Sequence, residues 1–176
     1  QVVTAGARRT DQAGCDVDFT VASDTDVEAL QNCSNVKDLH ILGSVTSLTG
    51  LGGLERAEIL TIESTEELQS LAGLEGLRDV KEINIHDNNK LKSIAGLENV
   101  ATSWGLYILR NPRLQSLTGL QGVQSAHEIV VFDNLRLTSL TGLENVAKVS
   151  ELLHIGYNPK LPSLMGLQGL ACAARI

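Results

Sequence analysis

A seven-residue pattern, Leu-x-Ser-Leu-x-Gly-Leu, recurs through the chain and limits its fold more than any other feature. Val, Ile or Pro replaces one residue in some copies. The serines of the six copies lie 23, 23, 23, 23 and 24 residues apart, at Ser47, Ser70, Ser93, Ser116, Ser139 and Ser163. A fixed period of this length is typical of a solenoid, in which one coil cannot bury its apolar side alone and stacked coils form a continuous core. The repeat therefore predicts a single domain of about six stacked coils of 23 residues.

Large apolar residues fall into columns when the coils are aligned. The first two columns lie two positions apart and contain Leu60, Ile83, Leu106, Ile129 and Leu153, and then Ile62, Ile85, Ile108, Val131 and Ile155. This alternation is the period-two pattern of a short β-strand. Three further columns, which include Leu68, Leu71 and Leu74, complete each coil. The last two of these are three positions apart with a glycine between them, which favours a second short strand or a bend over a helix.

Two further columns contain residues with special backbone roles. Glycine occupies one in every coil, which predicts a backbone angle or a close approach that a Cβ would obstruct. Asparagine occupies the other, at Asn88, Asn111, Asn134 and Asn158. Coils would lie about 4.8 Å apart, so these amides can bond to one another and to the turn backbone. We interpret them as an inward asparagine ladder, with a polar ligand site as the alternative, and we interpret the serines likewise as interior residues, with small hydroxyls packed under a tight corner.

The N-terminal part of the chain is predicted to form a cap. Residues 15–36 echo the column spacing without the glycine motif, between an extension over 1–14 and the coils over 37–176. A disulfide between Cys15 and Cys33 would close a loop of about 18 residues and stabilise the cap by ~3 kcal/mol. Such a pairing favours an oxidising compartment.

The C-terminal end lacks a comparable cap pattern. Leu167, Leu170 and Ala173 would leave an apolar coil edge nearly bare, which terminal repeats normally avoid. We therefore expect either that the chain continues or that this end packs on a partner, including another copy of the chain. Cys172 is left over from the predicted disulfide and is expected to pair outside these residues.

Composition excludes some classes of partner. The net charge is −7 and the sequence pI about 5.0, whereas nucleic acid and anionic membranes require a concentrated cationic face. No run of 18 apolar residues is present to insert into a membrane. The sequence therefore predicts neither nucleic-acid binding nor membrane insertion within these residues.

Catalysis and metal binding are not expected. Some parallel β-helices cleave polysaccharides, which requires a carboxylate pair or a metal-assisted base in a groove. Glu63, His86 and Asp87 lie close on neighbouring coils and Asp133 lies two coils further, but no long loop interrupts the coils to build groove walls. We interpret these residues as a solvated charged patch. Three histidines on one face, His40, His86 and His154, are too widely spread to share one ion. No catalytic residue, metal or cofactor is predicted.

Two segments point to a known family. The first contains Cys15 and Cys33 and ends in Gln31-Asn32-Cys33-Ser34-Asn35-Val36. The second is the type of coil formed by Leu114-Gln115-Ser116-Leu117-Thr118-Gly119-Leu120, preceded by Asn111-Pro112. Over about residues 15 to 172 the chain resembles the receptor L domain, which occurs in insulin-receptor and epidermal-growth-factor-receptor ectodomains, with related coils in fungal cell-wall and microbial surface proteins.

The resemblance implies a right-handed, single-stranded parallel β-helix, located outside the cell or at its surface, whose broad sheet binds a ligand or partner. Two features depart from the receptor versions. The coils are more regular, and the C-terminal disulfide-bearing cap is missing from these residues. The chain is therefore more similar to the microbial and cell-wall members, and growth-factor binding is not implied.

The outward positions of the predicted strand suggest where a partner would bind. One outward column contains Thr61, Asn84, Tyr107, Val130 and His154, and its neighbour contains His40, Glu63, His86, Leu109, Phe132 and Gly156. Exposed aromatic residues grouped on a sheet are typical of a binding surface, unless another part of a longer chain covers them. The predicted partner-binding residues are Tyr107, Leu109, Val130, Phe132, His154, Tyr157 and His86.

Three functions are compatible with these patterns. The first is a non-catalytic extracellular recognition or adhesion domain that binds a protein or glycan through the sheet. The second is a structural subunit of a surface layer, sheath or filament, which self-associates through the C-terminal coil. The third, a polysaccharide-active β-helix enzyme, has the least support in the sequence.

Overall fold

The predicted parallel β-solenoid is confirmed by a computed structural model, which describes residues 3–4 and 15–175. Its strands form one parallel sheet in chain order, each paired with the next, so that each coil contributes one strand. The described residues form nine strands, namely β1 Val3–Thr4, β2 Phe19–Val21, β3 Asp38–Gly43, β4 Arg56–Thr65, β5 Asp79–His86, β6 Thr102–Leu109, β7 Ser125–Phe132, β8 Lys148–Gly156 and β9 Cys172–Ala173. Apart from β1, the predicted N-terminal extension lies outside the described residues.

The core runs the length of the stack between the strands and the turns. The strand columns are fully buried in the middle coils, as at Leu106 and Ile108. The sequence patterns above leave out two further buried columns, which contain Leu54, Leu77, Val100, Val123 and Val146, and Ala57, Val80, Ser103, Ala126 and Val149. Each coil is therefore closed on all sides by apolar or small residues.

The rest of each coil consists of tight turns. Of the two predicted alternatives, a second short strand or a bend, the second is therefore correct. The amide of Leu120 donates to the carbonyl of Leu117 at 3.1 Å, and the amide of Val123 donates to the carbonyl of Leu120 at 3.0 Å. Gly119 lies in this segment with φ +121°, and a Cβ there would lie 2.2 Å from the carbonyl oxygen of Ile94 in the preceding coil. The glycine column therefore provides both a left-handed backbone and a close approach between coils.

The asparagine column forms a buried ladder that ties each coil to its neighbours. The Asn111 Oδ1 accepts hydrogen bonds from the backbone and side-chain nitrogens of Asn88, at 3.2 and 3.1 Å. Its Nδ2 donates to the carbonyl oxygens of Ile85 at 2.9 Å and Leu109 at 3.1 Å. Asn88, Asn111 and Asn134 are fully buried, whereas Asn158 in the last coil is half-buried. One side chain thus satisfies backbone groups in two coils.

The serine column does not lie in the interior, so that interpretation is wrong. These serines are exposed or half-exposed, and each accepts a hydrogen bond from the backbone two residues later. In the fourth copy of the motif the amide of Thr118 donates to Ser116 Oγ at 3.4 Å, and in the fifth that of Thr141 donates to Ser139 Oγ at 3.0 Å. A hydroxyl that caps its own turn in this way remains at the surface.

The predicted disulfide is present in the cap. Cys15 and Cys33 are bonded and buried at the first coil. The cap also contains a short helix, α1 Asp24–Ala29, which the column pattern does not predict. The sequence signal for the start of this helix is Ser23 followed by Asp26. The carboxylate of Asp26 accepts a hydrogen bond from the backbone amide of Ser23 at 2.9 Å.

The last coil is more exposed than the others. The strand β9 pairs in register with β8 only at Lys148 and Val149. Leu164 and Met165 are 56% and 71% exposed.

Among the described residues, no helix is long and apolar enough to cross a membrane.

Replacing Asn111 with alanine should destabilise the fold by about 3 kcal/mol or more, because the substitution leaves several buried backbone groups without partners. Urea unfolding followed by circular dichroism measures this change. Asn89→Ala is the matched control, since Asn89 is the exposed neighbour of the ladder residue Asn88 and should change stability by less than about 0.5 kcal/mol. Equal effects of the two substitutions would contradict the ladder.

Candidate functional site

The predicted partner-binding residues lie together on the outer surface of β5 to β8, except Tyr157, which directly follows β8. Tyr107 pairs with Val130, and Leu109 pairs with Phe132 on the next strand. These four side chains are half-buried, whereas His154 and Tyr157 are exposed and His86 is half-buried. We refer to the seven residues Tyr107, Leu109, Val130, Phe132, His154, Tyr157 and His86 as the aromatic face.

The most exposed part of the aromatic face is a cluster around Phe132. The centroid of its ring is 4.8 Å from that of Tyr157 and 5.5 Å from that of His154. Gly156 lies beside Phe132 on β8, and a Cβ there would lie 3.3 Å from the Phe132 ring. Because Gly156 has no side chain, the rings from two coils meet above it. Tyr157 is 77% exposed, so much of this cluster faces solvent.

A left-handed backbone at the end of each strand places Tyr157 in this position. The residues that precede the ladder column have φ between 50 and 59°, namely Ser64, Asp87, Arg110, Asp133 and Tyr157. The amide of Asp133 donates to the carbonyl oxygen of Gly156 at 3.1 Å, and the next amide, that of Asn134, donates to Asn158 Oδ1 at 2.9 Å. Both bonds reach the following coil, so the stack itself holds this uncommon backbone conformation.

Tyr107 is anchored within the sheet. Its hydroxyl donates to Glu128 Oε2 at 2.7 Å. The hydrogen bond to Glu128 and partial burial raise the pKa of Tyr107 to about 12. The ring lies over Gly105, where a Cβ would come within 2.3 Å of it. Tyr107 therefore presents a fixed ring whose hydroxyl already has a partner.

A row of ionisable groups starts at His86, a member of the aromatic face, and runs along its edge. The His86 Nε2 lies 3.5 Å from Glu63 Oε2, and its Nδ1 lies 3.0 Å from Asp87 Oδ2. Arg110 binds Asp87 through two nitrogens, at 2.6 and 2.7 Å, which lowers the pKa of Asp87 to about 2. Asp87 is therefore ionised at neutral pH and paired, as in a solvated charged patch. Asp133 takes no part in these contacts within the described residues.

The predicted column of His40 is wrong by two positions. His40 pairs with Thr61, 21 residues later, and not with Glu63, because this coil is two residues shorter than the period; the register shift between Ile41 and Gly43 recovers one of these residues. Its Nε2 nevertheless lies 2.6 Å from Glu63 Oε1. Within the part of the chain that the structure describes, no group of three His, Cys, Asp or Glu side chains is arranged to hold a metal ion.

The coils also contain a groove, although no long loop builds its walls. The alternation of each strand is interrupted where two residues outside the core follow one another, as at His127 and Glu128, and pairing skips the first of them; we refer to this interruption as the bend. Two hollows of about 390 and 380 Å³ lie along this bend and share Asp79 and Lys81. We refer to them together as the trough. Its main polar residues are Arg56, Glu58, Asp79, Lys81, His127 and Lys148.

Trp104 lies in the trough, and the sequence patterns do not single it out. It is the only tryptophan of the chain and is 66% exposed. Its ring stacks on that of His127, with the centroids 4.4 Å apart and the planes 20° from parallel. The sequence signal that could have identified Trp104 is its column, which lies three positions before the column of Tyr107. Lys81 and His127 occupy the Trp104 column in the two neighbouring coils.

Comparisons with models of known protein families, with curated proteins and with solved structures gave no match.

Replacing Glu128 with glutamine should lower the pKa of Tyr107 from about 12 towards 10, because the carboxylate that opposes the phenolate charge is removed. An absorbance titration of the phenolate in a Tyr157→Phe background reports Tyr107 alone, since these are the two tyrosines of the chain. Glu67→Gln, which changes a carboxylate bonded to Lys90, should leave the titration unaltered. A Tyr107 pKa that stays near 12 in Glu128→Gln would rule out this cause.

Proposed function

We propose that this chain is a non-catalytic recognition or adhesion domain of the cell exterior, and that it binds a protein or glycan partner through the aromatic face. The observation that carries the proposal is the Phe132, His154 and Tyr157 cluster, in which rings from two coils meet at the surface. Large rigid rings with an exposed side are the residues that most often dominate binding energy at an interface.

Several further features support this proposal. The Cys15–Cys33 disulfide is the kind of bond that persists in oxidising compartments. The cap and coils resemble the receptor L domain, and this resemblance implies a broad sheet that serves as the partner surface. The charged groups beside the aromatic face pair with one another, as Asp87 does with Arg110, so their geometry is explained without catalysis.

Removing the exposed cluster should abolish partner binding. Truncating a central aromatic residue of an interface typically weakens binding by 2 kcal/mol or more, which is about 30-fold. We expect Phe132→Ala combined with Tyr157→Gly to lose the species that the wild-type chain captures from a surface extract of its source cells. Glycine at position 157 removes the ring and accommodates the left-handed backbone, whose φ is 53°.

The matched control is Lys160→Ala, an exposed residue near Tyr157 that lies outside the aromatic face. It should retain capture. Undiminished capture by the Phe132→Ala, Tyr157→Gly variant, with its circular dichroism unchanged, would show that the proposed surface is wrong.

A second candidate function is a structural subunit that self-associates through the last coil. The exposed Leu164 and Met165 favour it, as does the strand β8, which is paired in register with β9 at only two of its residues. A strand edge with free backbone groups is a template for pairing with another chain.

If this second function holds, sedimentation velocity should show association that increases with protein concentration. Met165→Asp should reduce it, because the substitution introduces a charge into the apolar contact. Leu135→Asp changes an exposed apolar residue of another coil and should have little effect. A monomer at every concentration tested would exclude self-association.

A further inference from the structure

The trough presents one apolar ring among charged and hydroxyl groups. Trp104 lies between Asp79 and Lys81 on one side and Ser125, His127 and Lys148 on the other, all of which line the same hollow. Such a surface suits a ligand that has an apolar side and many hydroxyl groups. A pyranose ring has this character, because the C–H groups of one ring face pack on an indole while the hydroxyls at its edge exchange hydrogen bonds.

Trp104 is held in place before any ligand binds. Its stack on His127 fixes the ring plane, and His127 Nδ1 lies 3.1 Å from Ser150 Oγ on the next coil. The indole is nevertheless 66% exposed, so most of it remains free for contact. A ring that is fixed and exposed loses little conformational entropy when it binds, which favours a binding role over a packing role.

The charges of the trough favour a saccharide over the other linear polymers. Glu58 pairs with Lys81 at 2.7 Å, and Arg56 lies 3.8 Å from Asp79, so carboxylates and cations alternate along the bend. Nucleic acid requires an excess of cations, which is not found in this arrangement. An extended peptide would need apolar pockets for its side chains, whereas Trp104 is the one large apolar side chain that lines the two hollows.

The length of the trough favours a chain over a single sugar. Its lining includes residues from each strand between β4 and β8, which represent five successive coils. Neighbouring strands lie about 4.8 Å apart, so the trough crosses roughly 19 Å of the stack. We propose that the trough binds a linear saccharide chain, with one pyranose ring stacked on Trp104.

The chain's single tryptophan makes the test direct, because its fluorescence reports on the trough alone. The whole chain is titrated with three hexasaccharides, cellohexaose, chitohexaose and hexagalacturonate, up to millimolar concentration. We expect a saturable change in emission with at least one of them. Binding to hexagalacturonate that is weakened by Lys148→Ala would identify an acidic saccharide, whereas binding to either neutral hexamer would identify a neutral one.

Isothermal titration calorimetry of variants then tests the role of the ring. Trp104→Ala should weaken binding of the hexamer by about tenfold or more, and Trp104→Phe should recover part of the loss. Tyr157→Gly should bind the hexamer as the wild type does, since the trough and the aromatic face share no residue. If the trough fails to bind saccharide, the partner binding proposed for the aromatic face can therefore still be tested, and the reverse also holds.

Two results would overturn the proposal. One is the absence of any emission change with all three hexasaccharides while circular dichroism shows the folded chain. The other is a hexasaccharide that binds Trp104→Ala as tightly as it binds the wild-type chain.

Discussion

The asparagine ladder is the interaction on which the rest of the structure depends. An amide side chain such as that of Asn111 has two N–H donors and one acceptor oxygen. It forms hydrogen bonds through them with backbone groups of its own coil and of the preceding coil. Those groups belong to the corner where each strand ends, so the ladder fixes the register of the coils and the left-handed residue before each asparagine. Without it, the corner would bury amides and carbonyls that have no partner.

Two surfaces follow from this fixed register, and they lie on the same strands. At the end of each strand, the left-handed corner and Gly156 bring Tyr157 onto Phe132. At the beginning of each strand, the bend produces the trough and turns Trp104 outwards onto His127. Both surfaces combine residues from successive coils, because stacking places equivalent positions of neighbouring coils side by side. The proposed functions therefore require the stack and could not be performed by one coil.

The sequence predicts the fold well because its strongest signals are periodic. The 23-residue repeat, the glycine column and the asparagine column recur in successive coils, and the cysteine spacing within the cap is also informative. The bend is different, since it depends on two consecutive outward residues that interrupt the alternation by which a strand is recognised. Trp104 and the trough lie at this interruption. His40 was misplaced for a related reason, because the first coil is shorter than the period and its register shifts near Gly43.

Amide hydrogen exchange, measured residue by residue by nuclear magnetic resonance, tests most directly the claim that the ladder holds the coils together. The backbone amides of Asn88, Asn111 and Asn134 each donate to the asparagine of the next coil at 2.9 to 3.2 Å. They should exchange as slowly as that of Ile108 near the C-terminal end of β6, because both would open only when the stack opens. Exchange of these three amides as fast as that of the exposed Asn89 would contradict the account.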